Sequence, residues 1–111
     1  MKQTTAVRCP GLPYPDYTEP NFWLSCFTIN NDAMNIVDPE KIRLKLEEHN
    51  IESRPIWKPM HLQPVYKNND FITTGDKVGE DIFKRGLCLP SDIKMTKEQQ
   101  DKVISIIRGM F

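Results

Sequence analysis

Apolar and polar positions change their spacing several times along the chain, and each change marks an element. From Phe22 to Ile29 the run Phe-Trp-Leu-Ser-Cys-Phe-Thr-Ile is rich in aromatic and β-branched residues, which predicts a strand buried on at least one face. Asn30, Asn31 and Asp32 end it. Asp38-Pro39-Glu40 then predicts a helix start. The carboxylate can cap free N–H groups, proline suits the first helical position, and Glu40 favours the positive helix end. Ile42 and Leu46 fall on one face of that helix, with Lys41, Lys45 and Glu48 turned to solvent. The helix is expected to run to about His49 and to close through Asn50 in a left-handed conformation.

Residues 51–54 suit a short strand. Beyond them Pro55, Pro59 and Pro64 impose an extended path from Trp57 to Tyr66, where no regular structure is expected. Asn68, Asn69 and Asp70 read as a turn, residues 77–84 as a short helix stopped by Gly86, and residues 87–89 as a brief strand. Thr96 and Gln99 have capping-box spacing, and the helix they open carries Val103, Ile104, Ile107 and Met110 on a repeating face. The order of elements predicts a small α/β (α+β) domain of two layers, a short sheet covered by helices.

Residues 1–20 stand apart. Pro10, Pro13, Pro15 and Pro20 with Gly11 block a helix there, so this segment is expected to be a lead-in without a core of its own, and residues 21–111 to be the domain. A length of 111 residues suits one modest core.

Composition narrows the function classes. Fifteen Lys and Arg balance fifteen Asp and Glu, so nucleic acid is not indicated. No apolar run approaches the ~18 residues of a membrane span, and no apolar stretch follows Met1 and Lys2 as in a signal peptide. A cytoplasmic protein is the expectation. Cys9, Cys26 and Cys88 show neither disulfide-framework nor metal-ligand spacing, and Cys26 and Cys88 sit in apolar runs, which suits free thiols acting as small hydrophobes.

Candidate chemistry concentrates in Arg54-Pro55-Ile56-Trp57-Lys58-Pro59-Met60-His61-Leu62-Gln63-Pro64-Val65-Tyr66. Prolines set the backbone in advance, which lowers the ordering cost of meeting a ligand. Arg54 offers a planar fork for phosphate or carboxylate, and Lys58 a mobile point charge. Trp57 and Tyr66 present flat faces for a base or sugar, and His61 and Gln63 add hydrogen-bonding groups. Each also has a structural reading: Trp57 as core, Arg54 as surface charge, His61 as a satisfied histidine.

The run from Arg54 to His61 resembles the arginine, proline, tryptophan, lysine, proline, methionine, histidine motif in the C-terminal region of DegT/DnrJ/StrS-type sugar aminotransferases. Asn21-Phe22-Trp23-Leu24-Ser25, Gly86-Leu87-Cys88-Leu89-Pro90-Ser91 and the helix start at Thr96 match the same family in the same order. The resemblance covers residues 21–108. Where family members often place glycine after the serine of the second motif, this chain has Asp92.

The resemblance implies the small C-terminal domain of a fold-type-I enzyme whose large domain holds pyridoxal phosphate on a lysine. It implies amino transfer from glutamate to a keto-sugar linked to a nucleoside diphosphate, usually by a homodimer. Arg54, Trp57, Lys58, His61, Gln63 and Tyr66 would then face the sugar nucleotide. The cofactor domain has no counterpart in this chain, which has no glycine-rich phosphate loop, and the motif lysine at Lys58 is not the family's cofactor lysine. No catalytic, cofactor-binding or metal-binding residue is therefore expected here. A large cofactor domain is expected as partner, in cis or from a split gene, and a face shaped for it favours self-association. A non-catalytic sugar-nucleotide-binding or dimerisation module is the alternative.

Overall fold

The computed structural model describes residues 7–8, 16–19, 21 and 23–111, the first two as backbone alone. Among the described residues, four strands and three α-helices follow in the order β1 (Val7–Arg8), β2 (Ser25–Ile29), α1 (Pro39–Glu47), β3 (Arg54–Pro55), α2 (Val78–Arg85), β4 (Gly86–Leu89) and α3 (Lys97–Arg108). The strands form one antiparallel sheet in the order β1-β2-β4-β3. β2 and β4 make the centre, and the two short strands make the edges.

The expected strand from Phe22 begins its pairing only at Ser25, and Phe22 lies outside the described residues. β3 comes later than the pattern suggested, on Arg54 and Pro55 rather than residues 51–54. Proline cannot donate to a ladder, so it is tolerated there because β3 is an edge. The lead-in contributes more than expected: Val7 and Arg8 pair with Ile29 and Thr28 and complete the other edge.

Both expected helix caps form. Asp38 accepts from the Lys41 amide at 2.8 Å, and Pro39 occupies the first turn of α1. Thr96 and Gln99 make the reciprocal capping box of α3, at 3.2 and 2.9 Å. α1 ends at Glu47, and Asn50 takes φ +57°. That left-handed residue lets the Ile51 amide reach back to the Leu46 carbonyl at 3.0 Å, the Schellman closure.

α1 and α3 pack on each other, α1 also meets β3 and β4, and α2 meets β2 and β4. Phe27 and Ile29 of β2, Leu87 of β4, Ile42 and Leu46 of α1, and Val103 and Ile107 of α3 fill the core with Ala33 and Val37. Met110 packs against the core as its spacing predicts, but Ile104 is 38% exposed and Ile106 takes its place. The stripe thus runs through positions 103, 106, 107 and 110, a spacing of three and four.

Gly86 stops α2 as expected, and it does so as the extended first residue of β4, at φ −104° and ψ 159°. A Cβ there would lie 2.5 Å from the Ile82 carbonyl oxygen and 2.6 Å from Cγ1 of Ile56. The glycine is required by close approach of α2 and the loop, not by backbone conformation.

Candidate functional site

The segment after β3 is more ordered than its prolines suggested. Two short 3-10 turns, Met60–Leu62 and Pro64–Tyr66, follow one another. Pro59 and Pro64 set the entering φ of each, and the amides of Leu62, Gln63, Tyr66 and Lys67 find the carbonyls of Pro59, Met60, Gln63 and Pro64 at 3.0–3.3 Å. Gln63 sends its side-chain amide back to the Lys58 carbonyl at 3.5 Å and to the Met60 sulfur at 3.4 Å. These four amides are thus met by carbonyls of the loop itself, without recourse to its outward-facing side chains.

His61 ties this loop to α2. Its Nε2 lies 2.6 Å from a Glu80 carboxylate oxygen, and its ring stacks on Phe71 with centroids 4.0 Å apart and planes 12° from parallel. Both partners of the polar contact are largely shielded, at 20% and 28% side-chain exposure. Glu80 and Phe71 were not singled out in the sequence. Nineteen positions separate His61 from Glu80, so no local spacing announces the pair.

α2 is itself fixed to the sheet by Arg85, whose guanidinium donates to both carboxylate oxygens of Asp81 and to the Ile29 carbonyl of β2. The guanidinium holds the Asp81 carboxyl below the usual carboxylate range, chiefly by the hydrogen bond. A depressed folded-state pKa stabilises the fold above the unfolded value of ~3.9 and stops doing so as pH falls through the folded value. Asp81→Asn is therefore expected to lower thermal stability near neutral pH, with the gap from the parent closing in acid. Asp81 is about half exposed, which keeps the effect below ~1 kcal/mol.

Arg54 and Trp57 stand elsewhere. They border an open cleft of about 940 Å³ with Cys88, Ser91, Lys94 and Lys102, between β3, the end of β4 and the start of α3. The Oγ of Ser53, also on this cleft, is buried without a hydrogen-bond partner. Arg54 pairs with Glu52, through Nε at 2.8 Å and Nη2 at 2.6 Å. Both side chains are more than 70% exposed, so an arriving anion can exchange for the carboxylate at small cost.

Trp57 is a surface residue, 64% exposed, and its ring meets that of Trp23 at 6.0 Å and 46°. Lys58 is exposed and Tyr66 is 39% exposed. The six candidate residues therefore divide into Arg54 and Trp57 at the cleft, His61 and Gln63 bracing the loop, and Lys58 and Tyr66 facing outward. Ser91 braces the start of β2: its hydroxyl accepts from the Ser25 amide at 2.7 Å and donates to the Leu89 carbonyl at 3.2 Å. Met60, Val65, Phe71 and Ile72 add exposed apolar surface near the loop. Among the described residues no group of three or more His, Cys, Asp or Glu side chains is placed to hold a metal ion, and no helix is long and apolar enough to cross a membrane.

The sequence pattern of the DegT/DnrJ/EryC1/StrS aminotransferase family matches residues 6–108. Over 93 residues the chain is 42% identical to EpsN of Bacillus subtilis (strain 168), named as a pyridoxal phosphate-dependent aminotransferase; the match covers 82% of this chain and 23% of EpsN. GDP-perosamine synthase of Caulobacter vibrioides is 30% identical over 87 residues, which cover 78% of this chain and 22% of the synthase. A crystal structure of a DegT DnrJ EryC1 StrS aminotransferase from Brucella abortus superposes with a TM-score of 0.72 at 28% identity, over 94% of this chain and 26% of that one. The chain spans about a quarter of the length of each of these relatives. With the four ordered motifs, the matching fold and the family pattern across nearly its whole length, the chain belongs to the DegT/DnrJ/EryC1/StrS aminotransferase family.

Proposed function

We propose that residues 21–111 act as the C-terminal small domain of a pyridoxal phosphate-dependent nucleotide-sugar aminotransferase, and that the segment from Arg54 to Tyr66 is the wall beside the substrate. The observation that carries this reading is the braced loop. Its backbone is held by its own hydrogen bonds and by the His61–Glu80 contact, while Trp57, Lys58 and Tyr66 are left exposed. Lys58 and Arg54 suit the diphosphate, and the rings of Trp57 and Tyr66 suit a base or sugar face. His61 and Gln63 hold the loop in shape for that contact.

Pyridoxal phosphate supplies the carbanion stabilisation of such a transfer when bound. Its lysine must sit in a shielded pocket to be activated, whereas every described lysine of this chain is exposed. The residues described do not fit a Schiff-base site, and in this reading a large domain holds the cofactor. Met60, Val65, Phe71 and Ile72 give that domain, or a second subunit, apolar surface to cover. The amino group would come from glutamate and pass to a keto-sugar nucleotide.

Titration with uridine-, thymidine- and guanosine-diphosphate sugars, followed by tryptophan fluorescence, tests the wall directly. Trp23 and Trp57 are exposed and in ring contact, so the expected result is a saturable change that Trp57→Ala removes and Lys58→Ala weakens about tenfold, or ~1.4 kcal/mol. A flat signal at several millimolar of every sugar nucleotide would count against a preformed wall.

A further inference from the structure

The centre of the sheet sets Cys26 directly opposite Cys88, and Cys88 directly opposite Arg54. The sulfurs of Cys26 and Cys88 are 3.3 Å apart, although the residues are 62 positions apart in the chain. Opposed residues of an antiparallel pair have Cα atoms about 4.5 or 5.5 Å apart, depending on which rung they occupy. Both values fall inside the ~4.4–6.8 Å range that a disulfide accepts. The two sulfurs can therefore approach a bond of ~2.05 Å by side-chain rotation alone, without displacing a strand.

The thiols differ in access. Cys26 is partly exposed, whereas Cys88 is buried and borders the cleft that Arg54 also lines. Burial first, and then the contact with Cys26, pushes the Cys88 thiol up to about 12. A thiol so protonated is a poor first nucleophile, but it stands beside Cys26 and can resolve whatever forms there. We infer that Cys26 and Cys88 are a redox-active dithiol that closes to a cross-strand disulfide by exchange with a low-molecular-weight disulfide such as oxidised glutathione.

The exchange balances without a metal or oxygen. The Cys26 thiolate attacks one sulfur of oxidised glutathione, its disulfide breaks, and one glutathione leaves as thiolate. Cys88 gives its proton to water and attacks the Cys26 sulfur, and the second glutathione leaves. Two protein thiols are oxidised and one glutathione disulfide is reduced to two thiols. The bond would fix β2 to β4 beside the strand that presents Arg54.

The test uses the full chain carrying Cys9→Ser, incubated with oxidised glutathione at neutral pH and read by intact mass and peptide mapping. The expected product has lost two hydrogens, joins the Cys26 and Cys88 peptides, melts at a higher temperature than the reduced chain and returns to it with dithiothreitol. With Cys88→Ser added, one glutathione should remain on Cys26. With Cys26→Ser added, Cys88 should react more than about tenfold more slowly than Cys26. A parent chain that stops at a glutathione adduct, or a Cys26→Ser chain modified as fast as the Cys88→Ser chain, would overturn the inference.

Discussion

Gly86→Val is expected to cost the fold about 3 kcal/mol or more, at or above the upper end for overpacked sites. The new Cβ would enter the space of the Ile82 carbonyl oxygen and of Cγ1 of Ile56, at 2.5 and 2.6 Å. Ile56 can rotate, but the carbonyl belongs to the backbone of α2. Relief would require α2 to move from β2 and β4, where Arg85 anchors it. Backbone conformation adds nothing, because the glycine is already extended. Gly109→Ala is the control: its Cβ would meet nothing nearer than 3.4 Å, at a helical φ of −67°, so it should be neutral or slightly stabilising. Urea denaturation checks both. The valine chain should show a much lower midpoint at unchanged slope, or no cooperative transition.

Leu46→Ala is expected to cost about 2–5 kcal/mol by the same measurement. Leu46 is fully buried on α1, one turn from the equally buried Ile42, in the cluster that joins the sheet to α3. The alanine would leave a cavity bounded by elements that are pinned elsewhere and cannot collapse freely. Against a total stability of 5–15 kcal/mol for a domain of this kind, one such cavity removes a large fraction. Leu44, two positions away and 47% exposed, should change to alanine within about 0.5 kcal/mol. A similar cost at both positions would mean that α1 buries a different face.

These two sites also show how much could be read before the fold was known. The buried face of α1 follows from the four-residue step between Ile42 and Leu46, and the caps at Asp38 and Thr96 involve atoms within three residues of each other. Local spacing carries such features. Gly86 was recognisable as a boundary, but its reason, the crowding of Ile56 thirty positions earlier, is a tertiary contact. The same holds for His61 with Glu80, for Ser91 with the Ser25 amide, and for Cys26 with Cys88.

The candidate loop was legible as a composition and as a family motif, but not as a geometry. Six residues close in sequence suggested one cluster. Two 3-10 turns and an edge strand distribute them instead, with Arg54 and Trp57 at the cleft and His61 turned toward α2. Trp57 fitted a core position equally well by residue type, and only the packing of the sheet and helices leaves it outside, against Trp23.

The claim that this loop forms the substrate-side wall of a nucleotide-sugar aminotransferase is tested most directly by transplantation. The segment of GDP-perosamine synthase that matches this chain is replaced by residues 21–111, and formation of GDP-perosamine is measured against sugar-nucleotide concentration. The account predicts a chimera that binds pyridoxal phosphate and turns over, with Trp57→Ala and Lys58→Ala each raising KM for the sugar nucleotide about tenfold, or ~1.4 kcal/mol, while cofactor absorbance stays unchanged. A folded, cofactor-loaded chimera whose KM ignores both substitutions would contradict it.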